Sequence, residues 1–339
     1  MRFFLATLVI LSHALPIGGF PNYDPFIMLS HHATTLGTVA VAGFFALSGF
    51  LITRSYYTTQ NIQQFLWHRF LRIFPGFWVC LIISAFVFAP LMQWLEKGSM
   101  YGLFESEESP LRYIYSNLFL FIHQWTIAGL PTTTPYHGIN GSLWTLIHEF
   151  ICYLGVGVFG VLSILQKRWT VVMLLILLWT LQLLRIHTPT AVPFVVGHPF
   201  IEEFIRLSIT FFCGAVFFLF KDKVPFSGMM AIVAVLIYLG GAALGFTLEV
   251  ESMTISYCMF WLTFKLPFQA FDKRGDFSYG LYIYAFPTQQ MLAILGAHQL
   301  GYIPFVILGI IGTLIFAIPS YKFIEKPMLE LKKIVQKKS

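Results

Sequence analysis

About ten apolar stretches of membrane length follow one another along the 339-residue chain, near residues 3–20, 36–54, 74–95, 142–165, 169–186, 203–220, 227–248, 252–268, 277–297 and 303–323. A bilayer offers the backbone no water, so a spanning segment must satisfy its own N–H and C=O groups. A helix does so in roughly 20 residues across about 30 Å of hydrocarbon. The expected fold is therefore all-α, a polytopic integral membrane protein of about ten transmembrane helices. Composition agrees, because 57% of residues are hydrophobic and only 11% are charged, against roughly a quarter charged in soluble domains. The polar connections are short, the longest running from about 97 to 141, so residues 1–339 are expected to form a single domain with no appended soluble domain.

Basic residues set the expected orientation. With the N-terminus in the cytoplasm, Arg2, Arg54, Arg69, Arg72, Lys167, Arg168, Lys221, Lys223, Lys265, Lys273, Arg274 and the six lysines from Lys322 onward fall on that side, which is 17 of the 21. Lys97, Arg112, Arg185 and Arg206 are left outside or embedded. That bias is expected of an inner (plasma) membrane protein with both termini cytoplasmic. The net charge of +6 follows this topology and does not form a nucleic-acid-binding face. Cys80, Cys152, Cys213 and Cys258 each stand alone in an apolar segment without metal-ligand spacing, and no metal is expected.

Several ionisable or polar residues interrupt the apolar runs. The first helix, RFFLATLVILSHALP, carries Arg2 and His13 on one face, roughly three turns and 16 Å apart. His13 then lies near mid-membrane, where an ionisable group faces the protein interior or a water-filled path and is a functional candidate. The second helix contains Gly43, Ser48 and Gly49, small enough for close helix packing, with Ser48 also open to a chemical role. Arg69 and Arg72, one turn apart in FLWHRFLRIFPGFW, could grip phosphate or anchor the topology, with Pro75 expected to start the next span. In NGSLWTLIHEFICYL the spacing puts Ser142, Thr145, Glu149 and Tyr153 on one polar stripe, and a buried Glu149 needs a partner, His13 or Arg206. His148 lies about 100° off that stripe and ranks below His13. Residues 117–130 are expected to be an exterior interfacial or re-entrant piece. Tyr279, Tyr282 and Tyr284 line FSYGLYIYAFPTQQ, where Pro287 is expected to kink the helix.

Together these elements resemble the acyltransferase-3 family of bacterial multi-span O-acyltransferases. The resemblance rests on the Arg2-to-His13 spacing, FFALSGFLITR, RFLRIFPGFW, GSLWTLIHEFICY, SYGLYIYAFP and SYKFIEKP, in order along nearly the whole chain. It implies transfer of an acetyl or other acyl group from cytoplasmic acetyl-CoA to a hydroxyl of a surface or lipid-linked glycan, of the O-antigen or exopolysaccharide type. His13 and Glu149 would be catalytic, and Arg2, Arg69 and Arg72 would bind the acyl-CoA co-substrate. Ser48, Ser142, Trp144, Tyr153, Arg206 and Tyr282 would form the acceptor-binding part of the site. The expected partners are a glycan or glycolipid acceptor, acyl-CoA and the lipid bilayer. A competing expectation from another class is a secondary transporter or flippase with His13, Glu149 and Arg206 as a polar relay; it predicts repeated halves with matched broken helices, which the sequence does not display.

Overall fold

The computed structural model describes residues 1–21, 24–59, 61–265 and 276–332. In chain order its helices are α1 (Arg2–Gly18), α2 (Pro25–Leu29), α3 (Leu36–Thr59), α4 (Ile62–Lys97), α5 (Pro110–Asn117), α6 (Thr145–Val161), α7 (Arg168–His187), α8 (Pro199–Leu219), α9 (Gly228–Ala243), α10 (Thr247–Lys265), α11 (Ser278–Ile294) and α12 (Tyr302–Glu330). No strand occurs among the described residues. Four of the helices, α3, α4, α7 and α12, are long and apolar enough to cross a bilayer, and α1, α6 and α9 are shorter apolar helices.

Every apolar stretch of the sequence coincides with a helix, with informative differences at the edges. The basic segment before residue 74 is not a loop: α4 begins at Ile62 and carries Pro75 in its interior. Proline removes one backbone bond there, and beside it the Ile73 carbonyl accepts the Tyr279 hydroxyl at 2.7 Å. Farther along, α4 absorbs one π-helical turn at Ser84–Phe88 without breaking. At the other edge α6 starts at Thr145, so Ser142 lies in the preceding turn rather than on the helical stripe. The 117–130 stretch is a loop that follows the short helix α5, and Lys273, Arg274, Lys333, Lys337 and Lys338 lie outside the described residues.

The chain divides into two compact units, each discontinuous in sequence. The first gathers Met1–Asp24, Trp67–Ile147 and Gln269–Ser339. In it α1, α11 and α12 pack together around Ala14, Ile17, Phe286, Ala293, Phe305 and Val306. The second gathers Pro25–Leu66 and His148–Phe268. Its main pairings are α3 with α8, α9 with α10, and α7 with α8.

Glycine decides how close α3 and α8 come. A Cβ on Gly49 would lie 1.8 Å from the Phe211 carbonyl oxygen, and one on Gly214 would lie 2.1 Å from the Ala46 carbonyl oxygen. The two backbones touch directly, an approach that small residues allow between apolar helices where lipid gives no hydrophobic drive to association. Gly214→Val is expected to destabilise the fold by at least about 2 kcal/mol, because the obstacle is backbone and cannot rotate away. Gly155→Ala, at a glycine whose Cβ would meet nothing within 4 Å, is the control. Thermal unfolding in detergent checks this: the first variant should unfold several degrees lower and the second should match wild type. Equal behaviour of the two would refute the packing argument.

Candidate active site

The first unit holds His13 by its backbone. Because α1 is unbroken from Arg2 to Gly18, the interval between Arg2 and His13 is helical throughout, and Gly19 closes the helix at φ +66°. Pro16 sits inside the last turn and has no amide to offer the Ser12 carbonyl. Just upstream, Gln289 Nε2 donates to the Ile10 carbonyl at 2.9 Å and Tyr302 Oη donates to the Leu11 carbonyl at 2.9 Å. Side chains of α11 and α12 thus grip the turn that precedes His13. The imidazole stands edge-on to Phe286, with ring centroids 5.1 Å apart. Its Nδ1 is buried and has no hydrogen-bond partner among the described residues. An unpaired buried polar atom costs about 1–3 kcal/mol, and no described side chain offsets that cost.

At the N-terminal end of α1 a charged cluster forms around a residue that the sequence reading did not single out. Asp276, two residues ahead of α11, accepts from Arg72 Nη2 at 2.7 Å through Oδ2, and Arg2 Nη1 lies 3.6 Å from the same oxygen. Its Oδ1 accepts the Ser278 amide at 3.3 Å and a short bond from the Ser278 hydroxyl. Burial alone would raise the Asp276 pKa, but Arg72 and Arg2 outweigh it and hold the carboxyl well below the usual carboxylate range. Lys332 joins from the chain's other end, its turn tied to α4 by a bond from Trp67 Nε1 to the Leu331 carbonyl at 3.4 Å. Burial and the charges of Arg69 and Arg72 bring its pKa down to about 8. Glu325 is buried and also faces Arg72. Among the described residues, Arg2, Arg69, Arg72 and Lys332 gather here with two carboxylates, Asp276 and Glu325, a positive surplus suited to a multivalent anion.

In the second unit Glu149 is the centre of a hydroxyl cluster. Its Oε1 accepts from Ser48 Oγ on α3 at 2.5 Å and from Tyr153 Oη one turn along α6 at 2.5 Å. Glu149 and Tyr153 are thus joined along α6 as their place on one stripe would require, and Ser48 reaches the same oxygen from α3. The expectation of a basic partner is met differently within this unit, where Arg206 binds Glu203 through Nη2 at 2.6 Å and Nε at 2.9 Å and Glu251 through Nη1 at 3.3 Å. Neighbouring hydroxyls donate to a carboxylate without burying a second charge, and Arg206 is already matched by two acids of α8 and α10. His148 stacks on Phe200 and its Nε2 lies 3.2 Å from the Phe200 carbonyl, a packing role.

The remaining candidates belong to the first unit. Tyr282 and Thr145 share a hydrogen bond at 2.6 Å between their hydroxyls. The Ser142 amide is capped by Asn140 Oδ1 at 3.1 Å, while its buried Oγ has no partner among the described residues. Trp144 is half-buried.

Asp276→Asn removes the carboxylate shared by two arginines. Breaking a partly buried pair costs less than the 3–5 kcal/mol of a fully buried one, because the Asp276 side chain is 35% exposed; a loss of about 1–2 kcal/mol is expected. The native pKa is depressed, so the wild-type contribution is complete above the unfolded value of about 3.9 and fades only as pH falls through the lower native value. Unfolding midpoints in detergent should accordingly differ by a constant amount from pH 5 to 8 and converge in strong acid. A difference that vanishes at pH 7 would contradict the assignment.

A family model described as an acyltransferase domain matches residues 1–322. An O-acetyl transferase of Shigella phage Sf6 is 28% identical over 333 residues, 97% of this chain and 94% of that protein. Nodulation protein 10 of Rhizobium leguminosarum bv. viciae is 24% identical over 360 residues, covering 98% of this chain and 92% of its own length. Acyltransferase MdmB of Streptomyces mycarofaciens is 32% identical over 125 residues, 36% of this chain and 28% of that protein. No solved structure matches. Spanning nearly its whole length, the family match shows that this chain belongs to the acyltransferase-3 family.

Proposed function

We propose that the protein is a membrane O-acyltransferase that moves an acetyl group from cytoplasmic acetyl-CoA to a hydroxyl of a surface or lipid-linked glycan, with His13 as its central catalytic group. The observation that carries this reading is the pairing, on one helix, of an unpartnered buried imidazole nitrogen with a cluster of surplus positive charge. In this reading about ten helices cross an inner (plasma) membrane and both termini face the cytoplasm. Arg2, Arg69 and Arg72 hold the nucleotide phosphates, and the pantetheine arm follows α1 towards His13. Acetyl as the group transferred is supported by the O-acetyl transferase of phage Sf6, similar to this chain over nearly its whole length.

The chemistry closes with the groups named. The acceptor oxygen attacks the thioester carbonyl, the new C–O bond forms, and the C–S bond breaks. His13 takes the hydroxyl proton as the bond forms and returns it to the departing thiolate, so the products are an ester and free CoA. A route in which the imidazole first carries the acyl group balances equally, the acceptor then displacing His13 from the acyl-imidazole. Glu149, with Ser48 and Tyr153, supplies a carboxylate whose role in transfer is tested separately by its own variant.

The test is acetyl-ester NMR and mass spectrometry of surface glycan from a deletion strain complemented with wild type, His13→Ala or Glu149→Gln at matched membrane levels. General acid–base catalysis contributes about 10²- to 10⁴-fold. Wild type should restore the ester, His13→Ala should leave less than about one part in a hundred, and Glu149→Gln should reduce it clearly. Full acetylation with His13→Ala would remove His13 from the mechanism, and an unchanged glycan in every strain would refute the acceptor.

A further inference from the structure

Tyr136 and Phe286 connect the protein surface to His13 through ring contacts within the first unit. Phe286 is 2% exposed and lies edge-on to His13; Tyr136 is edge-on to the same Phe286, also at 5.1 Å between centroids, yet is 37% exposed. On the same loop Trp125 is 40% exposed, and its carbonyl accepts the Ile139 amide at 2.8 Å. One exposed aromatic face, that of Tyr136, therefore stands at the surface two ring contacts from the imidazole.

The loop that carries it is fastened at three points. Pro287 has no amide for the Ile283 carbonyl, which instead accepts Asn140 Nδ2 at 2.7 Å. The Gln290 amide, fully buried, donates to the carbonyls of Tyr136 at 2.7 Å and Gly138 at 3.0 Å, and its Oε1 has no partner among the described residues. Glu96 accepts the amides and hydroxyls of Thr132 and Thr133 at 2.6 to 3.0 Å. Space for the rings is reserved too, since a Cβ on Gly141 would lie 2.6 Å from the Phe286 ring. A merely interfacial aromatic needs none of this fastening, and Phe119, 74% exposed on the same loop, fits that simpler role.

We infer that the exposed Tyr136 face is the acceptor entrance and that it takes one sugar ring of the glycan. A pyranose presents an apolar C–H face to an aromatic ring and hydroxyls at its edge, which suits an exposed tyrosine ring on a polar loop. The inference rests on the acyl-transfer reading above and names the residue that admits its acceptor. Tyr136 is a binding residue here, and His13 remains the group that meets the reacting hydroxyl.

The experiment uses the full chain in membrane vesicles, with radiolabelled acetyl-CoA and, as acceptor probe, the strain's own surface polysaccharide stripped of esters by mild base. Tyr136→Ala should raise the apparent acceptor KM at least tenfold while the KM for acetyl-CoA stays within about twofold. Tyr136→Phe, which keeps the ring, should retain more than half of wild-type kcat/KM, and Phe119→Ala should match wild type. An unchanged acceptor KM in Tyr136→Ala, or a rise in both KM values together, overturns the entrance. Release of CoA by wild type without transfer to polysaccharide overturns the sugar as occupant. No release of CoA at all refutes the acyl-transfer reading and the entrance with it.

Discussion

One carboxylate organises the charged end of the first unit. Asp276 draws in Arg2 from α1 and Arg72 from α4 while its other oxygen binds Ser278 at the start of α11. Three helices are thereby fixed at one point, and the height of His13 on α1 follows from where Arg2 is held. The neutralisation is incomplete. Burial, and then the charges of Arg69 and Arg72, lower the Lys332 pKa. Such a cluster is costly to assemble in isolation and becomes favourable when a multivalent anion enters it.

Proline shapes the other end of the same unit. Pro16 in α1 and Pro287 in α11 each remove a backbone donor within an apolar helix, and such a loss must be made good inside the protein. At Pro287 the freed Ile283 carbonyl receives Asn140, so a break in the helix becomes the anchor of a loop. Near Pro16 the neighbouring carbonyls receive Gln289 and Tyr302, so the turn bearing His13 is set by other helices rather than by α1 alone. Gln289 of α11 thus serves the backbone of α1.

Much of this was legible in the sequence, for a physical reason. Apolar length reports helices faithfully, and each apolar stretch is one; His13 and Glu149 stood out because ionisable groups are rare in such apolar runs. The stripe of Glu149 and Tyr153 is a local, one-turn relationship, which spacing alone can give. Asp276 escaped notice because an acid in a basic loop reads as solvated, and its partners lie 204 residues and more away in sequence. A signal was present in Asp276-Phe277-Ser278 just ahead of an apolar run, the pattern of a helix start. The length of α4 was misjudged because proline marks a first turn more often than a helix interior. Tyr136 gave no sequence signal, since its contact with Phe286 joins segments 150 residues apart.

The central claim is that donor anchoring and chemistry are separate, the first at the Arg2–Arg72–Asp276 end of α1 and the second at His13. Equilibrium binding of radiolabelled CoA to the purified protein in lipid nanodiscs, set beside turnover of acetyl-CoA, tests it most directly. The account predicts that His13→Ala binds CoA within about threefold of wild type while turnover collapses, and that Arg72→Ala weakens CoA binding at least tenfold. CoA binding that is lost in His13→Ala, or unaffected in Arg72→Ala, would contradict it.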